Sequence, residues 1–422
     1  MLKTADTFRQ NLKNKGDTMA TDIKTGIGLS THANDYSAGE EAAKKALESI
    51  GCDNPDALIV FAAPKFNHKR LLQGITSITK QTPMIGGTTA GEISTFGLSV
   101  NSVVILALKS KDIRFCVGIG KGINKNEEKA GQELANSVLK GDSKGYTKKY
   151  AKSLLMLPDG LAGDGLKIIK GAQKALGEDF EIFGGSFGDE SQFKNTYQYY
   201  NGEVYQDVVV GMLFCGDKIK TATGVRSGWE SIGSRIKCTS AKGNVVYKLG
   251  NKTALEVYRE LLGAERAKKL PAIGLEYPMG LIDETAKVEG HNYFQIRCPL
   301  AVDEKKGSVT FAASIPEGKD ITLTYSSRNS VINGSMLSAQ QAKKTLGNAK
   351  PSLIMMFSCV ARKMVLGRRT NEEINCVKKV FGKDIPIIGF YTYGEIGPID
   401  KRIPALRSTR WHNETVVIWA VG

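Results

Sequence analysis

Apolar and polar positions along the chain fall into two alternating patterns. Near-continuous apolar runs, Ala57-Leu-Ile-Val-Phe61, Ser153-Leu-Leu-Met-Leu157 and Ser352-Leu-Ile-Met-Met-Phe357, have the length of strands buried on both faces of a sheet. Between them lie stretches with apolar residues at helical spacing, such as Ala38-Gly-Glu-Glu-Ala-Ala-Lys-Lys-Ala-Leu47. Strands alternating with amphipathic helices predict an α/β fold.

The pattern recurs three times, and a repeat decides architecture before any motif does. Each copy opens with a short strand and a helix: Thr25-Gly-Ile-Gly-Leu-Ser30 before Ala38–Leu47, Cys116-Val-Gly-Ile-Gly120 before Ala130–Ala135, and Ile321-Thr-Leu-Thr-Tyr325 before Ser338–Leu346. The buried run follows, then a second helix near 69–80, 163–176 and 371–381. A glycine turn comes next: Pro83-Met-Ile-Gly-Gly-Thr-Thr-Ala-Gly-Glu-Ile93, Phe183-Gly-Gly-Ser-Phe-Gly-Asp-Glu190 and Pro386-Ile-Ile-Gly-Phe-Tyr-Thr-Tyr-Gly-Glu-Ile396. In each, a Glu stands six residues after the first Gly (Gly86 to Glu92, Gly184 to Glu190, Gly389 to Glu395). A closing strand completes the copy, at 103–108, 208–213 and 416–421. The expected fold is therefore three β-α-β-α-β-β units packed into one compact body, with an inserted segment, 215–320, before the third.

Composition adds limits. Hydrophobic residues make 41% and charged residues 24% of 422, ordinary for a globular chain. Glycine, 46 residues, is in excess, as many tight turns require. The net charge of +15 raises nucleic acid, an anionic surface or an acidic ligand as partners, but no reader motif interleaves basic and aromatic residues, so no nucleic-acid role is expected. The seven cysteines form no CxxC pair, which argues against a disulfide framework or a zinc ribbon. No apolar run approaches the length of a membrane span, and residues 1–24 form a polar tail without a secretory pattern, so a cytoplasmic location is expected.

The C-terminal third resembles the FIST C domain, through Phe357-Ser-Cys-Val-Ala-Arg-Lys-Met-Val-Leu-Gly367, Glu372-Glu-Ile374, Gly389-Phe-Tyr-Thr-Tyr-Gly-Glu-Ile-Gly-Pro398 and His412-Asn-Glu-Thr-Val416. Gly274-Leu-Glu-Tyr-Pro-Met-Gly-Leu281, with Arg297 and Ala301-Val-Asp303, is similar to the segment opening that domain. Leu157-Pro-Asp-Gly160, Gly184-Gly185, Gly243-Asn-Val-Val-Tyr247 and Ala254-Leu-Glu-Val-Tyr258 are similar to the FIST N domain. The resemblance implies a FIST N-like domain over 25–252 and a FIST C-like domain over 253–422. It also implies a sensory small-ligand-binding protein with an amino-acid-like ligand. An alternative it carries is a haem-binding nitric oxide sensor regulating a histidine kinase; the residues Cys359, His412 and Glu395 themselves raise a second alternative, a thiol-dependent enzyme using Cys359. With no room left for an output domain, such a sensor is expected to act on a separate signalling partner.

Candidate site residues cluster at strand ends, where open α/β sheets collect ligands. Thr88, Thr89 and Glu92 stand on the first glycine turn, Glu190 on the second, and Tyr391, Tyr393 and Glu395 on the third. A Glu there either meets a ligand ammonium or caps a turn by accepting backbone N–H bonds. Cys359 and Arg362 form the Cys-x-x-Arg pattern after the third buried run; Pro64 and Asp159 stand at the positions matched to Cys359. Arg362 either holds a ligand carboxylate opposite Glu395 or pairs with that Glu structurally. Cys359 is either a buried hydrophobe or a reactive thiol. His412, beside Asn413, is open to three roles: haem axial ligand, general base for Cys359, or hydrogen-bonded support for the Tyr393–Glu395 turn. No resident cofactor or metal is expected apart from the haem alternative.

Overall fold

The computed structural model describes residues 22–140, 146–288 and 291–422; all but the end of the expected polar tail lies outside them. The three apolar runs form central strands. The first unit comprises β1 (Ile23–Ser30), α1 (Asp35–Ile50), β2 (Ala57–Ala62), α2 (His68–Thr79), β3 (Met84–Thr88), the short hairpin β4 (Glu92–Ser94) and β5 (Gly97–Ser99), and β6 (Val103–Ser110). The second comprises β7 (Arg114–Lys121), α3 (Glu127–Leu139), α4 (Tyr146–Tyr150), β8 (Ala151–Pro158), α5 (Gly165–Leu176), β9 (Glu181–Gly185), the hairpin β10 (Gln198–Tyr200) and β11 (Glu203–Tyr205), and β12 (Val208–Cys215). The third opens with β13 (Thr221–Arg226).

There follows an inserted module: β14 (Glu230–Ser231), β15 (Ile236–Lys242), β16 (Val245–Leu249), β17 (Lys252–Thr253), α6 (Ala254–Leu262), α7 (Ala264–Ala267), β18 (Met279–Val288), β19 (His291–Arg297), β20 (Pro299–Asp303), β21 (Ser308–Phe311) and β22 (Asp320–Tyr325). The third unit then resumes with α8 (Arg328–Leu346), β23 (Leu353–Cys359), α9 (Val360–Leu366), α10 (Thr370–Phe381), β24 (Ile387–Thr392), the hairpin β25 (Glu395–Pro398) and β26 (Thr409–His412), and β27 (Val416–Val421).

Every unit makes the same sheet. Its last strand lies antiparallel between its first and second, and the second runs parallel to the third. Asn34, Asn67, Asn126 and Asp164 cap the helices of the first two units by accepting a backbone N–H with the side-chain oxygen. One face of each sheet is covered by its helix pair. The strand glycines let the first helix lie directly on the sheet backbone: a Cβ at Gly28 would stand 1.9 Å from the Ala42 carbonyl oxygen, one at Gly120 1.9 Å from that of Ala130, and one at Gly224 2.0 Å from that of Ser338. The other faces of the three sheets meet in one apolar interior. Phe61 packs 4.7 Å from Phe390 there, and Phe183 stacks at 4.1 Å on Trp419.

The short hairpins, too brief to stand out in the hydrophobic pattern, are exchanged between units. β4 adds to the third sheet beside β24, β10 to the first beside β3, and β25 to the second beside β9.

The α/β class and the three repeated units stand, but the insertion lies inside the third unit and not ahead of it. The segment expected to open that unit, Ile321–Tyr325, is β22, which pairs with β14, β15 and β18 in the module's own sheet. The opening strand is β13, paired with β27 as β1 is with β6. The module carries a separate core around Cys238, Tyr258, Met279 and Phe311. The boundary expected at 252/253 falls inside it, within β17.

Candidate functional site

The three glycine turns do come together, and they close on one another. Gly188 N–H donates to the Thr88 carbonyl at 3.1 Å, Glu190 N–H to that of Thr89 at 3.3 Å and Ala90 N–H to that of Tyr391 at 3.0 Å. Ser186 N–H donates to the Gly394 carbonyl at 2.8 Å and Tyr393 N–H to that of Ser186 at 3.3 Å. Backbone groups of the three turns are thus used to join the units.

Two of the turn glutamates are held alike. Glu92 accepts from Thr89 Oγ1 at 2.6 Å and from Ser102 Oγ at 2.5 Å. Glu395 accepts from Thr392 Oγ1 at 2.8 Å and from Thr415 N and Oγ1 at 2.9 and 2.8 Å. Both are wholly buried, and burial raises each to about 7. In each, a hydroxyl three residues upstream and one just before the closing strand clamp the carboxyl under the hairpin. Glu190 is not their counterpart. Gln198 opposite Gly87 holds the register that Glu92 holds opposite Phe390, because the second unit carries a longer turn. Glu190 sits on that turn in the left-handed region, φ 55°.

The remaining turn residues also have protein partners. Thr88 Oγ1 accepts from Tyr197 N–H at 3.0 Å. Tyr393 donates its hydroxyl to Asp189 and stacks on Phe193 at 4.6 Å. Asp159 accepts from Thr196 Oγ1 at 2.6 Å and from the N–H groups of Leu161 and Asp207 at 2.9 and 3.0 Å. It shares the position of Cys359: their N–H groups donate to the carbonyls of Val208 and Thr415 just before or within the closing strand. In the first unit Ala63, donating to Ser102, holds that place and Pro64 is one residue beyond.

Arg362 is fully buried and its acidic partner is Glu373 on α10, at 2.8 Å, not Glu395. It also donates to Ser358 Oγ at 3.1 Å, Ser335 Oγ at 2.7 Å, the Val331 carbonyl at 2.9 Å and the Ser227 carbonyl. Glu373 in turn accepts from Ser335 at 2.8 Å, Ser358 at 3.1 Å and the Tyr391 hydroxyl. All of Arg362's polar reach is therefore used within the fold. Its effect on a site is indirect, through Ser227.

Ser227 lines a cavity of about 830 Å³ between the module and the third unit, within the usual size range of small-molecule sites. Trp229, Tyr293 and Gln295 come from the module and its entrance; Asn333, His412, Asn413 and Thr415 come from the third unit. His412 is buried and lowered to about 4 by desolvation. Its Nε2 lies 2.8 Å from the Gly397 carbonyl, which can only accept, so Nε2 carries the proton and Nδ1 accepts from Tyr293 Oη at 3.3 Å. Behind the wall, buried Arg297 donates to Gln295 Oε1 at 2.9 Å and fixes that amide. Two buried polar atoms on the lining have no partner: Trp229 Nε1 and Asn413 Oδ1. A buried donor and acceptor left unpaired are costly, and a bound molecule with the complementary pair relieves both.

Haem does not fit His412 as placed, since both ring nitrogens are engaged within the protein. Among the described residues no group of three or more His, Cys, Asp or Glu is placed to hold a metal ion. Burial and the nearby Glu395 and Glu414 push the Cys359 thiol well above its usual range, the reverse of what a nucleophile needs.

The sequence singles out His412 and Asn413, which line this cavity, but gives no sign of the cavity itself or of its module wall, which has no repeat to reveal it. Glu373 had a signal. The buried positions of α2, His68, Leu71, Leu72, Gly74, Ile75 and Thr79, recur at the same spacing in α10 as Thr370, Glu373, Ile374, Cys376, Val377 and Phe381. A carboxylate thus stands where the first unit has Leu71.

The chain matches the FIST N domain over residues 56–252 and the FIST C domain over 254–398. It belongs to the FIST family, whose domains are sensory small-ligand-binding domains of signalling proteins. An uncharacterized protein of Mycobacterium tuberculosis is 25% identical over 220 residues, 52% of this chain and 56% of that one. One from Mycobacterium bovis is 26% identical over 226 residues with the same coverage, so the chain spans about half the length of these curated relatives. A cyanuric acid hydrolase from A. caulinodans superposes over 95% of this chain and 99% of its own, at 7% identity and a TM-score of 0.34. No described helix is long and apolar enough to cross a membrane.

Proposed function

We propose that the protein is a sensor whose small polar ligand occupies the cavity between the inserted module and the third unit, and that it signals through a separate partner protein. The observation that carries this reading is the two unpartnered buried atoms on the cavity lining, Trp229 Nε1 from the module side and Asn413 Oδ1 from the third unit. A ligand bearing an acceptor and a donor together satisfies both. An amino acid does so, with its carboxylate toward the indole N–H and its ammonium toward the amide oxygen. Glu230 and Arg235 line the same cavity from exposed positions and Arg226 from a half-buried one, so both signs of charge are present for a zwitterion. Thr415 ties this wall to Glu395, so the clamped carboxyl supports the site from behind.

Thermal unfolding with a panel of amino acids and uncharged compounds of similar size tests the reading. A true ligand at about 100 times its Kd adds about 2.7 kcal/mol of stability. Asn413→Ala and Trp229→Phe, each still folded, are expected to lose that increment. If no compound stabilises the wild type, or both variants respond as the wild type does, the proposal fails.

A further inference from the structure

The three helix pairs differ in how their surface charge is balanced. In the first, Lys44 pairs with Glu40 and Lys45 with Glu41, both at 2.7 Å. In the second, Lys167 meets Glu127 at 3.4 Å and Lys174 meets Glu128. The third pair has no such match. Helix α8 contains no acidic residue, and the two acids of α10 are taken by arginines, Glu372 by Arg369 at 2.7 Å and Glu373 by buried Arg362. Lys343, Lys344, Lys378 and Lys379 form no ion pair among the described residues, where the acids of this helix pair are held by Arg362 and Arg369. Three of these lysines, Lys343, Lys344 and Lys379, border a groove of about 580 Å³ between the two helices, together with Met336 and Val380. Lys343 crosses it to donate to the Val380 carbonyl at 2.5 Å.

We propose that this groove is the docking surface for an acidic amphipathic helix of a separate protein. Lysines without an ion-pair partner, gathered at the ends of both helices beside the half-buried Met336 and Val380, complement such a helix, whose apolar side covers those two residues while its carboxylates meet the ammonium groups. The groove lining contains neither an aromatic ring for base stacking nor an arginine, which sets it apart from single-stranded nucleic-acid grooves. The proposal does not depend on the identity of the cavity ligand.

The test uses the full chain and a labelled synthetic helix rich in Glu, Leu and Ala, read by fluorescence anisotropy. Binding is expected at low salt, weakening as salt screens the charges. Lys343→Glu/Lys344→Glu/Lys379→Glu is expected to weaken it at least about tenfold. Lys44→Glu/Lys45→Glu, on the matching face of the first unit, is expected to leave it unchanged. Matched unfolding midpoints for wild type and both variants verify folding. Absence of binding, or equal loss in both variants, overturns the proposal. So does tighter binding of single-stranded RNA or of phosphatidylglycerol vesicles that is lost in the triple variant, since that assigns the groove to another class of partner.

Discussion

The guanidinium of Arg362 and the carboxylate of Glu373 meet at 2.8 Å with no solvent access to either side chain. Removing one partner of such a pair strands a buried charge and costs about 3–5 kcal/mol, whereas replacing both with apolar residues is often neutral. Glu373→Ala should therefore be strongly destabilised in denaturant unfolding, while Arg362→Met/Glu373→Leu recovers most of the loss. The double variant should still bind ligand more weakly, because the Ser227 carbonyl on the cavity wall has lost its anchor. Wild-type ligand affinity in the double variant would refute that link.

The buried carboxyls make a signed pH prediction. Glu92 and Glu395 are raised from 4.5 to about 7, so the folded chain holds protons that the unfolded chain has released. Their contribution to stability is present below about pH 4.5 and lost as pH rises to about 7. His412 and His68, lowered to about 4, act in the opposite sense, with stability gained as pH rises from about 4 to 6.5. Glu92→Gln/Glu395→Gln removes the falling contribution. Its stability relative to wild type should improve by a few kcal/mol between pH 5 and pH 7.5. Parallel profiles for the two proteins would contradict the assignment.

Cysteine reactivity should divide by burial. Cys52 and Cys116 are partly exposed; Cys215, Cys238, Cys298, Cys359 and Cys376 are buried. Iodoacetamide at neutral pH should modify the first pair in the folded chain and the other five only on unfolding. Rapid, selective labelling of Cys359 would revive the thiol-enzyme alternative.

Gly224→Ala should be as damaging as Gly28→Ala, at the upper end of the roughly 1–3 kcal/mol typical of overpacking, because both place a Cβ against helix backbone with no side chain free to yield. Gly243, with nothing within 4 Å of its Cβ position, gives a control whose cost is set by its φ of 61° alone. Equal tolerance at Gly224 and Gly243 would argue against β13 as the opening strand of the third unit.

The parts of this fold legible in the sequence are those where both strand faces are buried. Ala57–Phe61, Ser153–Leu157 and Ser352–Phe357 announce themselves because no position needs to be polar. Thr221–Arg226 does not, since four of its six residues are threonine, glycine or arginine, and Ile321–Tyr325 presents a better strand pattern nearby. The regular Gly-to-Glu interval misled in the second unit, where a longer turn shifts the equivalent position to Gln198. At the site, His412 and Asn413 were visible through family resemblance. Trp229, Tyr293 and Gln295 were not, because a cavity wall built by an insertion follows no period. Arg362 reads from sequence as either a ligand contact or a structural partner of Glu395; it is a buried brace, but its counter-charge is Glu373, which occupies an ordinary core position of an amphipathic helix.

Because each hairpin completes a neighbour's sheet, no unit owns all its strands. Cutting the chain at the boundary between its two FIST domains would strip β25 from the edge of β9 and leave β4 and β5 with nothing to lie against. Bare strand edges invite pairing with other chains. The two halves named by sequence are thus links of one closed ring, and either half made alone should aggregate or require the other to be present as it folds.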